Sequence, residues 1–231
     1  MDLLVDGVRQ AGALLLAGDG EVWGILRLSL LVSGSATLVS LALGIPAGSA
    51  LALARFPGRG LVVAAVNAGM GLPPVVVGLF VTLLLWRSGP LGGLEILYTP
   101  AAIIVAQVVI AAPIVAGMTL AAVQQVPRAF RLQLLALGAS RVQMVWVVLR
   151  EARLPLLAAV MAGFGGVISE IGASMMVGGN IKGQTRTLTT AMVLETGKGN
   201  FDVAIALSVL LLVVVFLVNW ALTVIQQRSA Q

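Results

Sequence analysis

Neither cysteine nor histidine occurs among the 231 residues of this sequence, and only 10% of the residues carry charge. Without cysteine there is no disulfide framework, no thiolate metal site and no thiol nucleophile. Without histidine the commonest zinc ligand and the usual general base at neutral pH are both missing. Metal-assisted and serine-type chemistry is short of parts, so no catalytic residue and no metal ligand is assigned, and the chain is not expected to be an enzyme by itself. The shortage of charge excludes a second class. A soluble domain has about a quarter of its residues charged. Here 59% of residues are hydrophobic and the mean hydropathy is +1.07, more apolar surface than a soluble fold of this length can hide.

That surplus falls in five stretches, Leu28–Ala54, Leu61–Trp86, Ala101–Val123, Leu154–Val177 and Val203–Val224. Each reaches the ~20 residues needed to cross a ~30 Å hydrocarbon core. The expected fold class is an all-α integral membrane protein of about five transmembrane helices. Residues 23–231 form one transmembrane domain with a cytoplasmic loop at 127–153. Residues 1–22 carry Asp2, Asp6 and Asp19 around a short apolar patch at Ala11–Ala17. A secretory signal would begin with positive charge and end at a small-residue cleavage site, so this segment reads as an interfacial helix retained in the mature protein.

The net charge of +5 is informative by position. Arg55, Arg59, Arg128, Arg131, Arg141, Arg150, Arg153 and Arg228 all lie on the first, third and fifth connections, opposed there by Glu151 alone. Short loops rich in Lys and Arg stay in the cytoplasm, which places the N-terminus outside and the C-terminus inside. No basic run is interleaved with stacking aromatics, so the implied partner is the lipid bilayer and not nucleic acid.

Small residues are dense inside the spans, as in Gly44-Ile45-Pro46-Ala47-Gly48 and Gly163-Phe164-Gly165-Gly166, where they allow helices to approach closely. Pro73-Pro74 is different, since consecutive prolines remove two helix donors and force a kink or break. It serves either packing or the lining of a pathway. Glu170 is the only acid inside an expected span. An intramembrane carboxylate is costly enough to face the bundle interior with a partner, which favours a structural or gating role over substrate contact.

The third connection, Val126–Arg153, reads as helix, glycine, helix, with Gly138-Ala139-Ser140 as punctuation and Trp146 exposed among apolar neighbours. Such a basic, partly apolar hairpin either rests on anionic lipid or plugs a groove in a cytosolic partner. In the fourth connection Gly178-Gly179 permits a sharp turn, Asn180, Gln184, Thr185, Thr187, Thr189 and Thr190 offer neutral donors, and Lys182, Arg186 and Lys198 offer charge. Thr187–Glu195 reads as a short helix of a re-entrant element.

Leu135-Ala136-Leu137-Gly138-Ala139-Ser140, followed by Leu154-Pro155, resembles the cytoplasmic loop of the permease subunits of type I ABC importers. The family's Glu-Ala-Ala half falls here on Leu132-Gln133-Leu134, and its Ile-x-Leu-Pro positions on Val148-Leu149-Arg150-Glu151. Downstream, Ser169-Glu170-Ile171-Gly172-Ala173-Ser174-Met175-Met176-Val177-Gly178-Gly179-Asn180-Ile181, Gly183–Ala191 and Leu194–Gly199 are similar to the tungstate-uptake branch, kin of molybdate permeases. The resemblance covers roughly Leu26 to the end.

It implies an importer in the inner membrane of a prokaryote, built from two copies of this chain, a cytosolic ATPase dimer that holds ATP and Mg, and an extracytoplasmic binding protein that delivers tungstate or molybdate. The chain has no Gly-x-x-x-x-Gly-Lys-Ser/Thr phosphate loop, so ATP hydrolysis would be the partner's, and no cofactor is expected in this chain. On this reading Phe130, Leu134, Leu137, Gly138, Ala139 and Ser140 couple to the ATPase. Pro73, Pro74, Glu170, Gly178, Gly179 and Asn180 line or gate the pathway. Lys182, Arg186, Thr189 and Lys198 steer the anion or dock the binding protein. The competing readings are an ion or small-solute channel without an ATPase, and a membrane-embedded enzyme or scaffold.

Overall fold

A computed structural model of the chain describes residues 20–230 together with Arg9, Gly12 and Ala13. The interfacial segment expected at 1–22 lies almost wholly outside the described residues; its last three, Gly20–Val22, are the first turn of a helix. The described chain is helical, and 26- to 34-residue helices alternate with broken pairs. Helix α1, Gly20–Leu53, is 34 residues long. Helices α2, Arg59–Met70, and α3, Pro74–Leu85, are 12 residues each and meet at 103°. Helix α4 is Pro100–Gln125. Helices α5, Arg128–Ala136, and α6, Arg141–Glu151, form the expected hairpin. Helices α7, Arg153–Ile168, and α8, Gly172–Gly178, meet at 56°. Helix α9 is Leu188–Gly197 and α10 is Phe201–Ala230.

The broken pairs are crossings of the bundle, as their neighbours show. A Cβ on Gly44 would sit 2.7 Å from Val115 Cβ, and one on Gly48 would sit 2.7 Å from Thr119 Cβ. Positions rise together along α1 and α4, so the two helices are parallel. The intervening α2 and α3 must therefore return the chain across the bundle. Along α4 the partners of the fourth span run the other way: Ile103 meets Gly178, Gln107 Nε2 donates to Val167 O at 3.0 Å, and Val115 meets Gly163. That makes α7–α8 antiparallel to α4 and a second return. Helix α10 starts beside the start of α1, where Val22 and Ile25 pack with Leu188, Ala191, Ala206, Leu207 and Leu210. Three unbroken and two broken crossings put the two ends of the described chain on opposite faces.

The reasons for the breaks differ. Pro73 is extended at φ −62° and ψ 123°, and Pro74 opens α3 at the first helical position, where its missing N–H costs nothing. At the second break no proline is present; the Glu170 side chain takes over a backbone role described below. Glycines let the bundle close, since a Cβ on Gly78 would fall 2.7 Å from Ala173 Cα. The core between these helices is built from Val77, Val81, Ile103, Ala106, Ala173 and Val177. Leu38, Leu61, Leu212 and Phe216 lie exposed on the outside, as lipid-facing side chains do.

Several hydroxyls inside α1 and α10 are satisfied by their own helices. Ser29 Oγ donates to Ile25 O at 2.8 Å, Thr37 Oγ1 to Ser33 O at 2.7 Å, Ser49 Oγ to Ile45 O at 2.6 Å and Ser208 Oγ to Ala204 O at 2.7 Å. Each bond reaches back one turn and hides a polar group in an apolar surrounding.

Candidate functional site

The two breaks face each other. Gly172, the first residue of α8, sits against Val75, the second of α3, so closely that a Cβ there would be 2.6 Å from Val75 Cγ2. Pro73-Pro74 and Glu170 are thereby brought together. Glu170 is buried, and its Oε1 accepts the Ala173 N–H at 2.9 Å. A carboxylate at the start of a helix satisfies an orphan amide and meets the positive end of the helix dipole. The partner sought for this intramembrane acid is thus the backbone of its own chain.

A third segment closes on the same point. From α8 the chain turns at Gly179, φ +69°, and Asn180, φ +51°, and descends to α9. Thr187 caps α9 with a reciprocal box, its hydroxyl accepting from Thr190 N while its own N–H donates to Thr190 Oγ1. Leu188 N donates to Ser29 Oγ of α1 at 2.8 Å, and Thr189 Oγ1 donates to the Glu170 carbonyl at 3.0 Å. The tip of the segment therefore reaches the level of the break in the fourth span, which is the geometry of a re-entrant element. Gly178 and Gly179 are held at its outer end, against Ile103 and the Tyr98 ring, and Asn180 Nδ2 donates to Thr190 O at 3.3 Å.

This geometry divides the donors of the fourth connection. Thr185 Oγ1 donates to Gly178 O at 2.5 Å and accepts from Ile181 N at 2.9 Å, while Thr189 is buried on Glu170. Both hydroxyls are spent on the backbone of the segment itself, so the structure places Thr189 at the break and away from the charged mouth. Lys182 and Arg186 do share that mouth, but with Glu21 of α1: Lys182 Nζ lies 2.6 Å and Arg186 Nη1 3.4 Å from its carboxylate. Sequence reading found no partner for either, because Glu21 precedes them by more than 160 positions and sits in the expected interfacial segment. It also missed Arg27, which lines the same cavity of about 470 Å³ with Glu21, Lys182 and Arg186 and leaves it with three cations to one anion. Its position one residue ahead of the first expected span was the available signal. Lys198 is elsewhere. It pairs with Glu195 at 2.7 Å, and with Asn200 it holds the Glu195 carboxyl below its ordinary value, the Asn200 hydrogen bond contributing most.

At the opposite, arginine-rich end, the hairpin α5–α6 is built to present a tip. Gly138, φ +85°, closes α5: its N–H donates to Leu135 O at 3.0 Å and Ala139 N donates to Leu134 O at 3.1 Å, the paired bonds of a Schellman ending. Ser140 then starts α6 with a capping box to Gln143. Leu137 is 85% exposed and Val142 80%, with Trp146 at 61%, so three large apolar side chains project outward around the glycine. Phe130, by contrast, packs inward on Val123, Val126 and Val148 with Leu53, and Leu134 is half-buried. Of the residues assigned to coupling, Phe130 and Leu134 anchor the hairpin, while Leu137, Gly138 and Ser140 form its surface and Ala139 is half-buried between them.

Comparison with known proteins agrees with this architecture. Residues 44–231 match the family model described as binding-protein-dependent transport system inner membrane component. The chain is 44% identical over 200 residues to a probable anion ABC transporter permease protein of Haloferax volcanii, covering 84% of this chain and 86% of that one. It is 36% identical over 230 residues to the tungstate uptake system permease protein TupB of Peptoclostridium acidaminophilum, covering 99% and 100%. Among solved structures, a chain of the MetNI methionine ABC transporter in an inward-facing crystal form superposes with a TM-score of 0.70 at 25% identity, over 91% of this chain and 95% of that one.

Proposed function

Because the chain belongs to the family of binding-protein-dependent transport system inner membrane components, a membrane permease subunit of an ABC importer, we propose that its cargo is tungstate or its congener molybdate. A relative that matches it over its full length is named for tungstate uptake, others at 90% coverage are named as molybdenum transport permeases, and the cation-rich cavity at the mouth suits a small dianion. Two copies of the chain form the pathway. The opposed breaks of the second and fourth spans and the α9 tip are its moving parts, since broken helices leave backbone free to rearrange where they line a cavity. An extracytoplasmic binding protein docks at the Lys182 and Arg186 face, and the N-terminal end of α1 lies outside with the C-terminus in the cytoplasm.

The observation that carries the reading is the α5–α6 hairpin. A rigidly capped tip with Leu137, Val142 and Trp146 exposed at the arginine-rich end fits a groove in a cytosolic ATPase. ATP and Mg are held by that partner, and its closure on nucleotide turns the paired bundles between outward and inward states. A channel has no use for such a tip, and the channel reading is set aside.

Reconstitution tests this directly. The chain is placed in liposomes with its ATPase and binding protein, and ATP hydrolysis is measured with empty, tungstate-loaded and molybdate-loaded binding protein. Stimulation by loaded protein is expected. Passive ion flux through the chain alone, with no ATPase bound, would overturn it.

A further inference from the structure

Four arginines line one cavity at the arginine-rich end, with no carboxylate among its lining residues. They are Arg55, from the turn after α1, Arg59, the first residue of α2, and Arg128 and Arg131, from the start of α5, and the cavity measures about 410 Å³. None of the four forms an ion pair among the described residues. Arg59 Nε is committed to Leu51 O at 2.7 Å, which fixes one side of the ring. Arg131 Nε is buried and has no hydrogen-bond partner at all. A buried charged donor without an acceptor is costly, and like charges held together add to the cost. An anion seated in the cavity would supply the missing acceptor and the opposing charge.

The shape beside it says which anion. Beside the cavity lies a groove of about 900 Å³ that shares Leu53, Ala54, Arg55 and Met144 with it, is also lined by Arg141, and runs along α1 to Ile45 and Pro46. From Leu53 back to Ile45 is eight residues, about 12 Å of helix at 1.5 Å each, close to the half-thickness of a ~30 Å hydrocarbon core. A free oxyanion fills the arginine cavity and leaves the groove empty. A phospholipid fills both, with its phosphate among the guanidinium groups and an acyl chain along α1.

The geometry points to a binding site for one anionic phospholipid at the junction of α1, α2, α5 and α6, in the leaflet that the arginine-rich end faces. The lipid ties the base of the α5–α6 hairpin to the end of α1, because Arg128 and Arg131 belong to the former and Arg55 to the turn after the latter. Bidentate guanidinium contacts to phosphate favour this headgroup over a zwitterionic one, whose own cation opposes the cluster.

The test uses the assembled transporter in nanodiscs of mixed phosphatidylglycerol and phosphatidylcholine, with bound lipid measured by native mass spectrometry after release into detergent. Phosphatidylglycerol is expected to be retained in preference to phosphatidylcholine. In Arg55→Gln with Arg128→Gln, both at exposed positions, that preference falls about thirtyfold. Arg131→Gln is the second variant, in case the double change does not assemble, and it lowers retention in the same direction. Equal retention of both lipids by the unmodified protein, or unchanged retention in the variants, overturns the proposal. So does displacement of phosphatidylglycerol by millimolar inorganic phosphate, which marks an ion site. Loss of the ATPase subunits with the lipid retained also overturns it, because the cluster would then serve an acidic protein surface. None of these readouts depends on transport, so they separate this site from the assigned cargo.

Discussion

Replacing Glu170 by alanine and by glutamine separates a structural carboxylate from one that works by its charge. In the alanine variant the Ala173 N–H, now bonded at 2.9 Å in a residue with no exposed surface, has no acceptor. An unsatisfied buried amide costs about 1–3 kcal/mol, and losing an anion from a helix start about 0.3–1 more, so the sum spans roughly 1.3–4 kcal/mol, centred near 2.5. Glutamine keeps an oxygen in the same place and forfeits only the second part, about 1 kcal/mol or less. At about 2–4 °C per kcal/mol for a chain of this size, the melting midpoint of the purified complex falls by roughly 8 °C in the alanine variant and about 2 °C in the glutamine variant. Tungstate uptake in proteoliposomes at a temperature below both transitions should be close to unmodified for glutamine and reduced for alanine. If the glutamine variant melts normally and yet transports nothing, the charge itself takes part in gating or proton coupling, and the capping role is refuted. An unchanged midpoint in the alanine variant refutes it equally.

Gly138→Val forces a branched side chain into φ +85°, a local cost of about 1–2 kcal/mol. The subunit should still insert while substrate-stimulated ATP hydrolysis drops severalfold; undiminished stimulation would remove the hairpin tip from coupling. Lys182→Gln with Arg186→Gln should slow uptake at low ionic strength, with the deficit closing near 1 M salt, where the screening length is about 3 Å. A deficit that ignores salt assigns both residues to holding the binding protein. Gly48→Leu drives a side chain into Ala116 O and Thr119 and should cost about 3 kcal/mol, seen as loss of assembled protein. Gly24→Leu, which meets nothing within 4 Å, should accumulate normally.

The crossings were legible because the bilayer imposes a length, and the helices match the five apolar stretches to within a few residues, apart from the early start of α1 at Gly20 and the late end of α10 at Ala230. The break at Pro73-Pro74 was legible too, since proline removes donors whatever surrounds it. The break after Ile168 was not. Ser169-Glu170-Ile171 contains no residue that forbids a helix, and only the folded chain shows the carboxylate standing in for a backbone acceptor at Ala173. Similar limits apply to faces and long-range pairs. Phe130 and Leu137 are equally apolar in the sequence, yet one packs in the cluster with Val123 and Val148 and the other is 85% exposed, a difference visible only once α5 is packed in place. The donors of the fourth connection read as ligands for an anion because their internal acceptors, Gly178 O and Glu170 O, become visible only when the segment folds back.

The one-turn hydroxyl bonds in α1 bear on how the chain is made. During synthesis α1 enters the membrane well before its neighbours α4 and α9 exist, so its serines and threonines spend that interval facing lipid. Bonds such as Ser29 Oγ to Ile25 O and Thr37 Oγ1 to Ser33 O let the nascent helix partition with fewer naked donors. Each such hydroxyl retains a lone pair. When residues near 188 finally emerge, Ser29 accepts the Leu188 amide without surrendering the bond it already has, so a late-arriving segment docks on a partner that was insertion-ready from the start.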